Sequence, residues 1–248
     1  MMTTVCFGKV FYTALHFTSL HFISLHFTQL YLLLYTSPTS IKRSQSNPQN
    51  SGYCLSMIIC FLLGVTYLLP FYILIQPTDY WNLQSTSIAL EFYIVLVYLV
   101  SSFLCSVGMI FVPDNAYNLR IVSGLLLQAV CLAVVPMLPY FYSSPGSSNE
   151  VPGMFGFSPY SQAVLICTGL CGLATSVSHG SVLYLSAQFP GGIQRSLQLG
   201  MGLSPIVAVA IRIGTFYFYS FQDTVMAAAG LFFVASLLCL ITSIAFQG

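Results

Sequence analysis

Charge is nearly absent from this chain, and that scarcity governs what it can fold into. Six basic and five acidic residues stand among 248, so 4% of the sequence is charged while 57% is hydrophobic. A water-soluble domain of this size needs far more polar side chains to cover its surface. The bases are Lys9, Lys42, Arg43, Arg120, Arg195 and Arg212, and the acids are Asp79, Glu91, Asp114, Glu150 and Asp223. Between them run apolar blocks long enough for a bilayer core, which takes about 20 helical residues to cross. The expected fold is an all-α membrane protein.

Six spans are expected, at about 53–75, 88–112, 119–142, 161–188, 196–219 and 224–246, and they form one transmembrane domain over 51–248. The connections alternate in charge. Lys42 and Arg43 precede the first span, Arg120 lies between the second and third, and Arg195 lies between the fourth and fifth. The opposite connections carry Asp79, Glu150 and Asp223 and no base. Because cytoplasmic loops collect lysine and arginine, the N-terminus is expected in the cytoplasm.

Residues 1–50 differ from the rest. Leu15 to Gln29 repeats LHFTS, LHFIS, LHFTQ with a period of five. Five residues turn a helix by roughly 140° and carry a strand to its other face, so neither structure gathers His16, His21 and His26 on one side. The segment reads as low complexity or as a misplaced start of the reading frame, with a signal anchor as a third option, and a polar linker follows it. The eight cysteines all lie in apolar stretches, which argues against a disulfide framework. Cys167 and Cys171 share a helix face with no carboxylate near in sequence, so packing is expected of them and no metal site.

Polar and small residues inside the spans narrow the reading. Thr168, Thr175, His179 and Ser186 recur on one face of the fourth span, with Gly172 beside them, and such a stripe belongs in the bundle interior or against water. The fifth span carries Gly200, Ser204, Ala208 and Arg212 at i, i+4 spacing, which marks a close helix contact. That spacing turns Arg212 inward, and Glu91 is the intramembrane acid expected to pair with it as a structural ion pair. In the first span Pro70 interrupts the backbone hydrogen bonding and is expected to kink the helix. No loop gathers a nucleophile, a base and an orienting acid, and no glycine-rich phosphate loop is present, so neither enzymatic activity nor a cofactor is expected.

Gly64, Leu68, Leu69 and Pro70, then His179, Gly180 and Ser181, then Phe189 and Pro190 at the turn, then Leu199, Gly200, Met201 and Gly202, together resemble the equilibrative nucleoside transporter family. Arg120, Ile121 and Gly124 at the start of the third span add to the likeness. The resemblance covers about residues 54–247 and implies the N-terminal six-helix half of a major-facilitator-like transporter. It implies facilitative movement of nucleosides or nucleobases between two helical halves, with Leu68, Phe71 and His179 at the substrate contacts. Phe71 stands where the family has tryptophan, and His179 where it has glutamine. Gly180, Gly200, Gly202 and Ser204 fall where the implied fold packs its helices. The family has eleven helices, so the resemblance also implies a C-terminal half that would complete the site. The implied partners are a nucleoside or nucleobase and the lipid bilayer of the plasma membrane or an internal membrane, with no nucleic acid. Two alternatives stand beside this reading: another major-facilitator type carrier of small polar solutes, and a six-helix membrane protein that acts by association.

Overall fold

The computed structural model describes residues 51–84, 90–109, 111, 117–142, 158–189, 191–219 and 223–247. The LHF repeat, Lys9, Lys42, Arg43, Asp114 and Glu150 lie outside the described residues. Among the described residues every regular element is helical: α1 (Ser51–Ile75), α2 (Thr78–Gln84), α3 (Leu90–Met109), α4 (Tyr117–Val134), α5 (Leu138–Tyr142), α6 (Pro159–Gln188), α7 (Gly191–Tyr219) and α8 (Thr224–Gln247). Six helical stretches are long and apolar enough to cross a membrane: Gly52–Ile75, Leu90–Met109, Tyr117–Tyr142, Pro159–Ser186, Gly191–Tyr219 and Thr224–Gln247.

Local chemistry sets the boundaries. The Ser158 side chain accepts from the Ser161 amide at 3.2 Å and Pro159 occupies the first turn, so α6 starts on a hydroxyl cap and a residue with no amide hydrogen to satisfy. Its far end stops at Phe189, whose extended backbone (φ −94°, ψ 159°) is the conformation that a following proline imposes. Helix α7 then begins at once, five residues earlier than its apolar pattern indicates. A short 3₁₀ turn, Val135–Met137, joins α4 to α5 because Pro136 has no amide to continue the α ladder. Pro70 lies within α1, which continues as one helix to Ile75.

Small residues and hydroxyls, rather than apolar bulk alone, bring the helices together. A Cβ placed on Gly64 would strike the Leu197 carbonyl, and one on Gly200 would strike the Phe61 carbonyl, so α1 and α7 touch backbone to backbone. The Ser196 hydroxyl donates to the Met57 carbonyl at 2.7 Å near the starts of the same two helices, which therefore run parallel. Gly172 lies against the Tyr98 carbonyl and Ser101 of α3, and Gly124 against Ala174 and Ser178 of α6. Ser106 and Ser176 share a hydrogen bond at 2.7 Å, and Ser236 donates to the Ala129 carbonyl at 2.8 Å. Lipid and the core of a helical bundle are equally apolar, so these close approaches and polar links supply the specificity that burial cannot.

The second and fifth spans are the least covered, with only 11% and 22% of an 18-residue apolar stretch in each buried. Phe103, Leu104, Ile206 and Ile213 project from them as exposed apolar side chains. At one end α2 closes the bundle: Trp81 is fully buried, donates its indole Nε1 hydrogen to the Leu74 carbonyl at 2.9 Å and meets Phe232 edge-on. Beside it Tyr160 donates to the Tyr80 hydroxyl at 3.4 Å, and burial pushes the Tyr80 phenol up, which keeps it neutral.

Candidate substrate site

Two adjacent helix turns build the site. On α1, Tyr67 and Phe71 are four residues apart, and on α6 so are Thr175 and His179, so each pair stacks on one helical face. Tyr67 lies flat against His179, with ring centroids 4.6 Å apart and planes 26° from parallel. One turn along, Phe71 meets Tyr98 of α3 at 4.9 Å with a 44° tilt, and the Tyr98 hydroxyl lies 2.7 Å from Thr175 Oγ1. Tyr67, Phe71 and His179 are half-buried, whereas Tyr98, Thr175 and Gln128 behind them are buried. The result is an aromatic front on a polar, water-excluded back.

The back layer has a defined hydrogen-bond direction. Thr175 gives its one hydroxyl hydrogen to the Cys171 carbonyl at 2.8 Å and accepts from Gln128 Nε2 at 2.8 Å. Its remaining lone pair can only accept, so Tyr98 is the donor in the bond between them. Further along α6, Thr168 and Ser186 donate to the carbonyls of Val164 and Leu183. The hydroxyl stripe is thus satisfied by its own helix and needs no water to face the interior.

Phe71 and His179 therefore border one aromatic group, each through an intermediary. Leu68 goes elsewhere: it is buried in an apolar cluster with Ile121, Leu125, Val182, Leu197 and Met201. Sequence reasoning passed over Tyr67, Tyr98 and Gln128. For Gln128 a signal existed, an amide near the middle of an apolar span, where polar side chains are expensive. For the two tyrosines none existed, because their role depends on how the helices are rotated.

Two expectations are corrected. Arg212 pairs with Asp79, Nη2 to Oδ2 at 3.3 Å, and not with Glu91, whose Oε1 is buried without a hydrogen-bond partner among the described residues. The reason is reach. Arg212 lies two turns from the end of α7, and its side chain extends toward that end over the Phe216 ring at 5.4 Å, where Asp79 sits at the start of α2. Asp79 is largely exposed, so the pair is met at the polar edge of the bundle and its strength is that of a surface contact. Gly180 is also not a packing residue within these helices: it is exposed, and a Cβ there would meet nothing within 4 Å. Gly172 fills that role on α6, while Gly200 and the fully buried Ser204 are at helix contacts and Gly202 is half-buried. Among the described residues the cysteines are free thiols, and no three histidine, cysteine or acidic residues group as a metal site.

Six apolar helices packed through small residues make this chain an integral, multi-pass membrane protein. It is 26% identical over 213 residues to equilibrative nucleotide transporter 1 of Arabidopsis thaliana, covering 85% of this chain and 45% of the relative. It is 23% identical over 168 residues to equilibrative nucleotide transporter 8 of the same plant, covering 66% and 40%. The chain thus spans about half the length of the curated relatives it matches. No family model matches it. No solved structure matches it either.

Proposed function

We propose that these six spans are the N-terminal half of a facilitative transporter of nucleosides or nucleobases. The observation that carries the reading is the grouping of Tyr67, Phe71, Tyr98 and His179, because two of the four stand where the resemblance to equilibrative nucleoside transporters implies substrate contacts. Planar aromatic faces stack on a base, and an imidazole offers one hydrogen-bond donor and one acceptor to its edge or to a ribose. Carriers of this architecture bind substrate near the bilayer midplane, between two repeats.

The relatives are named for nucleotides, whereas this site favours an uncharged nucleoside or base. Among the described residues, Arg120 and Arg195 lie in the opening turns of α4 and α7 and Arg212 near the end of α7, so none lies in the middle of its span to hold a phosphate. The same distribution supports an N-terminus in the cytoplasm, with Arg120 and Arg195 on that side and Asp79 and Asp223 on the other.

The test is uptake of labelled adenosine and uridine by cells without nucleoside transport of their own. These cells express the chain joined to the part of the first Arabidopsis relative that it does not cover. His179→Gln is expected to keep transport, since an amide also donates and accepts. His179→Leu should raise the half-saturating concentration by up to about tenfold, the effect of one lost net hydrogen bond. Unchanged uptake of both substrates by His179→Leu would make the residue interhelical glue.

A further inference from the structure

We propose that Tyr98 is a specificity-determining residue of this site and that Gln128, on a different span, is its positioning residue. The inference rests on the transport reading above, in which Phe71 contacts the base.

A continuous chain of contacts runs from the third span to the first. Gln128 Nε2 donates to Thr175 Oγ1 at 2.8 Å, Tyr98 donates to the same oxygen at 2.7 Å, and the Tyr98 ring rests on Phe71 at 4.9 Å. Its chain neighbour Tyr72 also meets Phe71 edge-on at 5.6 Å. Thr175 is saturated, giving its hydrogen to Cys171 and accepting two, so it can neither rotate nor release Tyr98 without breaking a bond. Tyr98, 4% exposed, cannot exchange that bond for one with water. The position of the Phe71 ring is therefore set by the buried Tyr98 hydroxyl behind it.

Gln128 itself points to function rather than stability. It is fully buried, and its Oε1 has no hydrogen-bond partner among the described residues. An orphaned acceptor in a water-free interior destabilises the fold, and a leucine of similar length would remove that penalty. What the amide supplies in return is the single bond to Thr175. A purely structural residue at this position has no use for that exchange, whereas a positioning residue does.

The experiment is equilibrium binding of tritiated adenosine and tritiated uridine, in detergent micelles, to the purified chain joined as above to the part of the first Arabidopsis relative that it does not cover, with thermal unfolding of each variant alongside. Tyr98→Phe, Gln128→Leu and Thr175→Val should each shift the adenosine-to-uridine affinity ratio toward adenosine by about two- to tenfold, the range of one lost net hydrogen bond. A Phe71 ring free to swing back leaves more room for the larger purine. Thr175→Ser, which keeps the hydroxyl, should retain the parent's ratio, and Gln128→Leu should unfold at or above the parent's temperature. If Tyr98→Phe and Gln128→Leu keep the parent's ratio, whether or not both affinities fall together, the network is only structural and the inference fails. A parent protein, so joined, that binds neither nucleoside overturns the transport reading and this inference with it.

Discussion

Gly200→Val is expected to remove nearly all folded chain from the membrane, read as loss of the monodisperse peak when detergent extracts are run by size exclusion. The added side chain has nowhere to go. A Cβ at this position collides with the Phe61 carbonyl and lies 3.0 Å from the Val65 amide nitrogen and 3.1 Å from Gly64 Cα, so the obstacle is main chain and not a side chain that can swing aside. Ordinary overpacking costs about 1–3 kcal/mol because neighbouring side chains give way. Here the two helices would have to separate, and with them the bond from Ser196 to Met57. Gly180→Val is the control: the same change in residue size, at a position where a Cβ meets nothing, should leave the peak intact. Equal losses from both would mean that α1 and α7 do not pack as described.

Trp81→Ala is expected to cost about 3–5 kcal/mol, the usual range for removing a large buried aromatic. The indole is 1% exposed, touches Tyr80 and Phe232 by its edges and carries a side-chain hydrogen bond that ties α2 back to the end of α1. Trp81→Phe should fall well short of that loss, because it keeps most of the ring and gives up only the bond to Leu74. Thermal unfolding in micelles ranks the three proteins. An alanine variant as stable as the parent would show that α2 does not hold that end of the bundle closed.

The spans were legible because their signal is one-dimensional. A run of about 20 apolar residues between charges crosses a bilayer whatever its neighbours do, and the six helices lie within a few residues of where the sequence puts them. The polar stripe of α6 was legible for a similar reason, since helical spacing alone puts Thr168, Thr175, His179 and Ser186 on one face. What failed required knowing which helix stands opposite. The small residues of α7 do mark a contact, but spacing could not say that Gly200 meets Gly64 while Gly180 meets nothing. Arg212 was matched to Glu91 by counting intramembrane acids, and the guanidinium instead reached past the apolar region to Asp79 on a connecting helix. Tyr67 and Tyr98 were illegible, since a tyrosine in an apolar span looks the same whether it faces lipid or a histidine.

The central claim is that the aromatic group around His179 binds a nucleoside. It is tested most directly by competition binding of tritiated adenosine, in micelles, to the purified six spans joined to the part of the first Arabidopsis relative that they do not cover. The account predicts saturable binding that unlabelled uridine displaces and unlabelled glucose does not, weakened in both Phe71→Ala and His179→Leu. Binding that glucose displaces equally well, or that survives both substitutions unchanged, would contradict it.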